Sequence, residues 1–316
     1  MSKMAAKQKK HKWNKDYAAQ QLPLHAMLLI PLILVLLYNY FPMIGSLMAF
    51  QNYVPTLRGF LPSLFGSKFI GLSVFRDLFS QPSIVRVFSN TVFISAMKIA
   101  ADIVFPLAFA LMLNEIRTSW FKKTVQTVTY LPYFMSWVIL SGILLDIFSP
   151  REGVVNQMLN AMGMNSIYFF GDSGLFPYML VSTNIWKEIG FNTIIILAAI
   201  TGIDPSLYEA AVIDGAKRVK QTIYVTLPSV LPMVVLLFIL SLGNILNAGF
   251  DQVFNLYSPS VYSTGDIIDT YVYRTGLLNG QYSLATAVGL FKSVISTVMI
   301  VLSYMVANKY SDYRVF

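Results

Sequence analysis

Long apolar runs separated by short polar stretches dominate the chain. No charged side chain occurs between Tyr17 and Leu57, and the runs 124–145 and 221–250 carry none either. A helix crossing the hydrocarbon of a bilayer needs about 20 mostly apolar residues, each advancing about 1.5 Å along the axis. Six segments satisfy that requirement: 24–46, 87–113, 124–148, 175–203, 223–249 and 283–307. The pattern predicts an all-α integral membrane protein with six transmembrane helices, preceded by a basic tail, 1–22, with the membrane domain over 23–316. A basic start followed by an apolar run also resembles a cleaved export signal. The first run far exceeds the roughly 7–15 apolar residues of such signals, so a retained anchor is expected.

Composition agrees with a lipid solvent. Hydrophobic residues make up 56% of the 316 and charged residues 12%, whereas soluble domains carry about a quarter charged residues. The net charge of +8 could suggest nucleic acid, but Lys3, Lys7, Lys9, Lys10, Lys12 and Lys15 crowd the tail. Next to an apolar run this is a topology signal, and no groove-reading motif accompanies it, so no nucleic-acid partner is expected. With both ends inside, the inner segments hold 14 lysines and arginines and the outer segments six. The bias places both termini in the cytoplasm. The absence of cysteine excludes disulfides and thiolate metal sites. Only His11 and His25 are present, with no metal-ligand cluster or nucleophile–base arrangement, so catalysis on this chain is not expected.

Between the fourth and fifth runs lies a polar island, "YEAAVIDGAKRVKQTIYVTLP", from Tyr208 to Pro228. Asp204 can cap free backbone amides, and Pro205 suits the first helical position. A short cytoplasmic helix within a loop spanning 204–222 is therefore predicted. Ala210, Ala211, Gly215 and Ala216 give it a slim surface that another backbone can approach closely. Such a helix suits either a groove on a cytoplasmic partner or contact with lipid headgroups.

Tyr208, Glu209, Ala210, Ala211, Asp214, Gly215, Leu227 and Pro228 resemble the EAA loop of permease subunits from binding-protein-dependent ABC importers. The spacing matches throughout; the mild departure is Val225, where the family often has isoleucine. The stretches "YNYFPMIGSLMAFQNY" (38–53), "FIGLSVFRDLF" (69–79) and "NIWKEIGFNTIIILAAITGIDPSLYEAA" (184–211) are similar to permeases that import oligosaccharides and polysaccharide fragments. The resemblance implies a coupling helix, and residence in a bacterial cytoplasmic membrane. It also implies four kinds of neighbour: a second permease subunit, two ATP-binding subunits, an extracytoplasmic solute-binding protein and membrane lipid. Because no GxxxxGK[ST] phosphate loop occurs here, ATP and magnesium belong on a separate ATPase, and no cofactor is expected on this chain.

Charges inside the apolar runs are costly and face the interior or a wet cavity. Lys98 and Asp102, four apart, share a helical face, which suits a local ion pair or a place in the permeation path. Lys187 and Glu188 are adjacent, so each is expected to need its own partner. Trp186, Lys187 and Asn192 form a plausible sugar-contacting set, and Asn244, Asn247 and Lys292 raise the same possibility. Interhelical hydrogen bonding is the other use of these residues. The outer segments 50–86, 149–174 and 250–282 carry Tyr53, Tyr168, Phe169, Phe170, Tyr257, Tyr262 and Tyr271. These suit docking of a solute-binding protein or anchoring at the membrane interface. An ion- or proton-driven carrier is the rival reading, although no inverted repeat accompanies it; a membrane scaffold would leave the island's pattern unexplained.

Overall fold

The computed structural model describes residues 15–310, and the lysine-rich tail up to Asn14, His11 and the last six residues lie outside it. Nearly all regular structure is helical. Helix α1 (Lys15–Val35) continues through a π-helical turn, Leu36–Tyr40, and ends in 3-10 winding, Ile44–Phe50. Helix α2 is Pro82–Glu115, α3 Ser119–Tyr130, α4 Trp137–Ile147 and α5 Phe176–Thr201. Helix α6 is Pro205–Ile213, α7 Leu227–Leu242, α8 Phe250–Leu256 and α9 Tyr282–Tyr310. The one sheet among the described residues is a two-residue antiparallel pair, β1 (Gln51–Asn52) with β2 (Lys68–Phe69), Gln51 opposite Phe69.

Among the described residues, four continuous helical stretches are long and apolar enough to cross a membrane: Leu22–Phe50, Pro82–Glu115, Arg218–Leu242 and Tyr282–Asn308. Two bent pairs raise the number to six if each is one span. Helix α5 meets α6 at 68°. The segment 124–148 departs from the expected straight helix, because Ser119–Phe134 meets Trp137–Ile147 at 105°. Pro132 sits in a 3-10 turn, Met135 and Ser136 adopt extended backbone, and the Ser136 hydroxyl accepts the Ile139 amide to begin a new helix. At about 1.5 Å per residue, the 11 residues of α4 fall well short of the roughly 30 Å hydrocarbon thickness.

Helix α2 packs along α5, and α7 closes over both through Ala110, Ile196, Ile200, Val230 and Val234. At the other end, Ile94, Leu140, Phe176, Val253 and Ile267 form a second core. The stretch 250–282 is therefore not a simple surface loop. Val253, Val261, Ile267 and Ile268 are fully buried, as is most of Tyr271. Phe170 of the preceding outer segment is likewise core. By contrast, residues 22–43 are exposed throughout, so the first apolar helix has almost no packing within its own chain.

Candidate coupling loop and membrane recess

The polar island folds around a nine-residue helix, α6, none of whose residues is buried. Its start follows the expected cap: the Asp204 carboxylate accepts the Ser206 amide at 2.9 Å. That bond, followed by one with the Ser206 hydroxyl, holds the Asp204 carboxyl below its ordinary range. Its end is a Schellman turn. The Ala216 amide donates to Ala211 O at 2.8 Å and the Gly215 amide to Val212 O at 3.0 Å. Gly215 adopts φ +74°, the left-handed conformation that closes such a turn without a Cβ penalty. A Cβ at Gly215 would meet nothing within 4 Å. The glycine thus serves the backbone turn, and it leaves open space on the surface.

Ties behind the helix fix its place. Tyr208 hydroxyl lies 2.9 Å from the Thr226 hydroxyl, and Thr226 is itself buried. Arg218 bonds Glu115 at 3.1 Å, and the Thr222 hydroxyl donates to the same carboxylate at 3.2 Å. After a π-helical turn, Thr222–Thr226, Leu227 and Pro228 open α7. The outward surface stays apolar: Ile213 is 86% exposed, and Leu207, Val212, Val219 and Tyr224 are exposed too. An isolated helix this short is marginal in water. Its apolar side chains have no cover within the described chain.

Inside the bundle, Ser95, Lys98, Asp102, Asn184, Asn244 and Asn247 line a recess of about 250 Å³. The expected ion pair between Lys98 and Asp102 is not formed. Lys98 Nζ donates to Ala248 O at 2.7 Å and to Gln252 Oε1, while Gln252 Nε2 donates to Leu180 O and the Thr183 hydroxyl, each at 2.8 Å. Asp102 instead accepts from Asn184 Nδ2 at 2.9 and 3.1 Å. The lysine satisfies a carbonyl in the irregular segment after α7, and the carboxylate binds α5 to α2. Neighbouring elements outcompete a pairing along one helix. The Ser95 hydroxyl is buried without a hydrogen-bond partner among the described residues.

The remaining candidates are dispersed. Asn192 lines a second small recess that shares Asp102 with the first. Lys187 donates to Tyr133 O at 2.7 Å, with the Tyr133 and Trp137 rings at 5.1 and 5.6 Å. Its role is legible from the bend: a helix that stops leaves carbonyls unpaired, and Lys187 supplies one donor. Lys187 also lies 3.8 Å from Glu188, closer than adjacency suggested. Gly190 lets α5 lie close against the end of α3, because a Cβ there would run into the Thr129 carbonyl and the Tyr130 ring. Trp186 lines an apolar groove with Leu144 and Phe148 and is not among the residues that line the recess. Lys292 pairs with Asp269 at 2.5 Å. Sequence reasoning missed Ser95, Asn184 and Gln252; polar residues inside apolar runs were the available signal.

At the far end from α6, Arg274 makes two bonds to the buried Asp266, at 3.1 and 2.5 Å, and stacks over Tyr262 at 4.3 Å. Burial, and then the neighbouring Tyr262, push the Tyr257 phenol up to about 12. No group of three or more metal-ligating side chains occurs among the described residues.

A helical membrane bundle with bent apolar segments, a polar recess and an uncovered apolar loop helix is the architecture of a membrane transport component. Residues 102–312 match the model of the family described as binding-protein-dependent transport system inner membrane component, and the chain belongs to that family. It is 39% identical over 93% of its length to the polygalacturonan/rhamnogalacturonan transport system permease protein YteP of Bacillus subtilis, covering 90% of that protein. Protein LplB of the same organism is 38% identical over 92% of this chain and 90% of its own. A chain in the crystal structure of a bacterial alginate ABC transporter, in complex with alginate pentasaccharide-bound periplasmic protein, is similar with a TM-score of 0.84 and 37% identity. The match covers 95% of this chain and 99% of that one. Family membership makes this chain the permease component rather than the ATPase, and it sets aside an ion- or proton-driven carrier.

Proposed function

We propose that the chain is one of two permease subunits in an ATP-driven importer of oligosaccharides, with polysaccharide fragments as the cargo class. The observation that carries this reading is α6. A motif-bearing helix with no buried residue and an exposed apolar crest, tied through Tyr208 to the turn that opens α7 and followed by an Arg218 bond to Glu115 of α2, is built to transmit force from another protein. In this reading the chain crosses the bacterial cytoplasmic membrane six times, with the bent pair Ser119–Phe134 and Trp137–Ile147 counting as one span, α5 crossing on its own 26 residues and α6 turning away from it on the cytoplasmic side, and with both termini in the cytoplasm. Residues 204–222 form the coupling loop, in which Tyr208, Glu209, Ala210, Ala211, Asp214 and Gly215 meet one of two ATPases that hold ATP and magnesium. Leu227 and Pro228 pass the motion into α7.

The exposed first helix supports a second permease subunit, because the apolar side chains of residues 22–43 stand uncovered among the described residues. The recess around Asn244 and Asn247 contributes to the cargo route, with Asn192 beside it. Trp186, Lys187 and Lys292 support that route from outside, and Lys98 and Asp102 hold its wall in place. The outer segments receive the solute-binding protein. ATP closure of the cytoplasmic domains then moves α6 and opens the recess outward, and hydrolysis resets it.

The native chain has no cysteine, which makes the test direct. A single Ala210→Cys variant, assembled with its candidate partners, is alkylated at that thiol with a maleimide-linked benzophenone and illuminated, so that the photoactivated carbonyl inserts into a neighbouring C–H bond of protein or lipid. Crosslinking to an ATP-binding subunit, together with cargo-stimulated ATP hydrolysis, is the expected result. Labelling of residues 205–220 by lipid alone would overturn the reading.

A further inference from the structure

The recess has a rim that neither the motif nor the bundle core uses. Gly249 lines the recess, and α8 starts at the next residue. One side of α8, Gln252, Val253 and Leu256, is buried in the bundle. The other side carries two parallel stripes at helical spacing. Phe250 and Phe254 are half-buried and stack on each other, with ring centroids 5.1 Å apart and planes 21° apart. Tyr273 meets Phe254 edge-on at 4.8 Å, and Tyr257 extends the row at 6.1 Å. Beside the rings run Asp251, exposed and with no hydrogen bond to its carboxylate among the described residues, and Asn255, whose side-chain amide donates to the Asp251 backbone carbonyl at 2.7 Å.

We propose that this face of α8 is a sugar-stacking track that hands oligosaccharide rings to the recess; the proposal rests on the oligosaccharide reading above. A pyranose presents a face of C–H groups and an edge of hydroxyls. Aromatic faces hold the first, while a free carboxylate and an amide hold the second. A binding surface needs this combination of apolar area with a few placed polar groups. Stacking tolerates sliding, because successive rings all present similar faces, as in single-strand nucleic-acid channels. Continuity with the recess through Gly249 favours cargo in transit as the occupant over a protein side chain.

The test uses the assembled transporter in vesicles, with its binding protein, and oligosaccharides of two to five sugar units. Phe254→Tyr keeps an aromatic face, whereas Phe254→Leu keeps apolar bulk without one. Uptake at saturating binding protein is expected to survive the tyrosine change and to fall about three- to tenfold with leucine. The loss should grow with chain length and deepen with Phe250→Leu. As a second measurement, Phe254→Trp places a reporter on the track, and its emission should shift when the cargo-loaded binding protein docks. Equal uptake by the leucine and tyrosine variants at every length would overturn the proposal, and would indicate rings that merely pack against a neighbouring chain. A wild-type assembly that hydrolyses ATP in response to some other solute, but carries no oligosaccharide, would instead refute the cargo reading, and the track with it.

Discussion

Replacing Gly215 separates two roles that coincide in one residue. Its φ of +74° lies in the left-handed region, and the Schellman bonds from Gly215 and Ala216 depend on it. A side chain in that conformation costs about 1–2 kcal/mol, less for asparagine, which visits it more readily. Since a Cβ meets nothing within 4 Å, the backbone term is the whole cost inside this chain. Gly215→Ala should therefore lower the population of the correctly closed α6 turn by about 5- to 30-fold relative to competing turns. Gly215→Asn should recover much of that loss. Gly215→Trp pays a similar backbone cost and adds bulk to the surface proposed to meet the ATPase.

Cargo-stimulated ATP hydrolysis by the assembled transporter is the assay, with the yield of intact membrane assembly as the folding control. The expected order is wild type, asparagine, alanine and then tryptophan, the last without stimulation. If tryptophan matches alanine, only the turn matters and no partner approaches at this point. If tryptophan matches wild type, the coupling role of the loop is wrong.

Lys98→Met and Asp102→Asn should each destabilise the bundle, and because the two line one recess but bond different partners, a double-mutant cycle on thermal unfolding should show weak coupling of about 0.5–1 kcal/mol. Mutual rescue would show an ion pair after all. Arg274→Gln leaves the Asp266 carboxylate buried without its cation; discounted for the partial exposure of Arg274, the loss should be about 2–3 kcal/mol in denaturant unfolding. Loss below about 0.5 kcal/mol would mean that water already serves Asp266. Tyr257 sets a pH window. Its phenol is raised from 10.0 to about 12 in the folded chain, so its contribution to stability is fully present below pH 10.0. That contribution is lost as pH rises through about 12. The phenolate absorbance difference between wild type and Tyr257→Phe checks this, and a transition near 10 would refute it.

The apolar segments were legible because hydropathy over some 20 residues is a sum that local detail barely alters. For the same reason the 105° bend within 119–147 was not: every residue around it is apolar or uncharged, and only Pro132 and Ser136 mark the place. Short helices such as α8, Ile268–Tyr273 and Val154–Ala161 are too brief to leave a periodic signature. Their region therefore read as outer loop, although Val253 and Ile267 are core. The polar island was legible as a pattern, down to the Asp204 cap, yet the reason for its glycine emerges only from the sign of one dihedral angle.

The intramembrane charges show most clearly where sequence reasoning stops. A lysine in an apolar run announces that something polar lies across from it. Spacing along one helix offers a candidate, and for Lys98 that candidate was Asp102. The partners actually used, Ala248 and Gln252, lie about 150 residues further along the chain. They meet Lys98 because α7 breaks before α8 begins and leaves a carbonyl without an amide. Lys187 repeats the logic at Tyr133, where α3 gives out. Lys98 pairs with no carboxylate on its own helix, and Lys187 keeps only a long 3.8 Å approach to Glu188 beside its 2.7 Å bond to the carbonyl. Each cation mends an interrupted helix, so that backbone can turn beside a polar recess at membrane depth, a region where unpaired carbonyls are otherwise prohibitive.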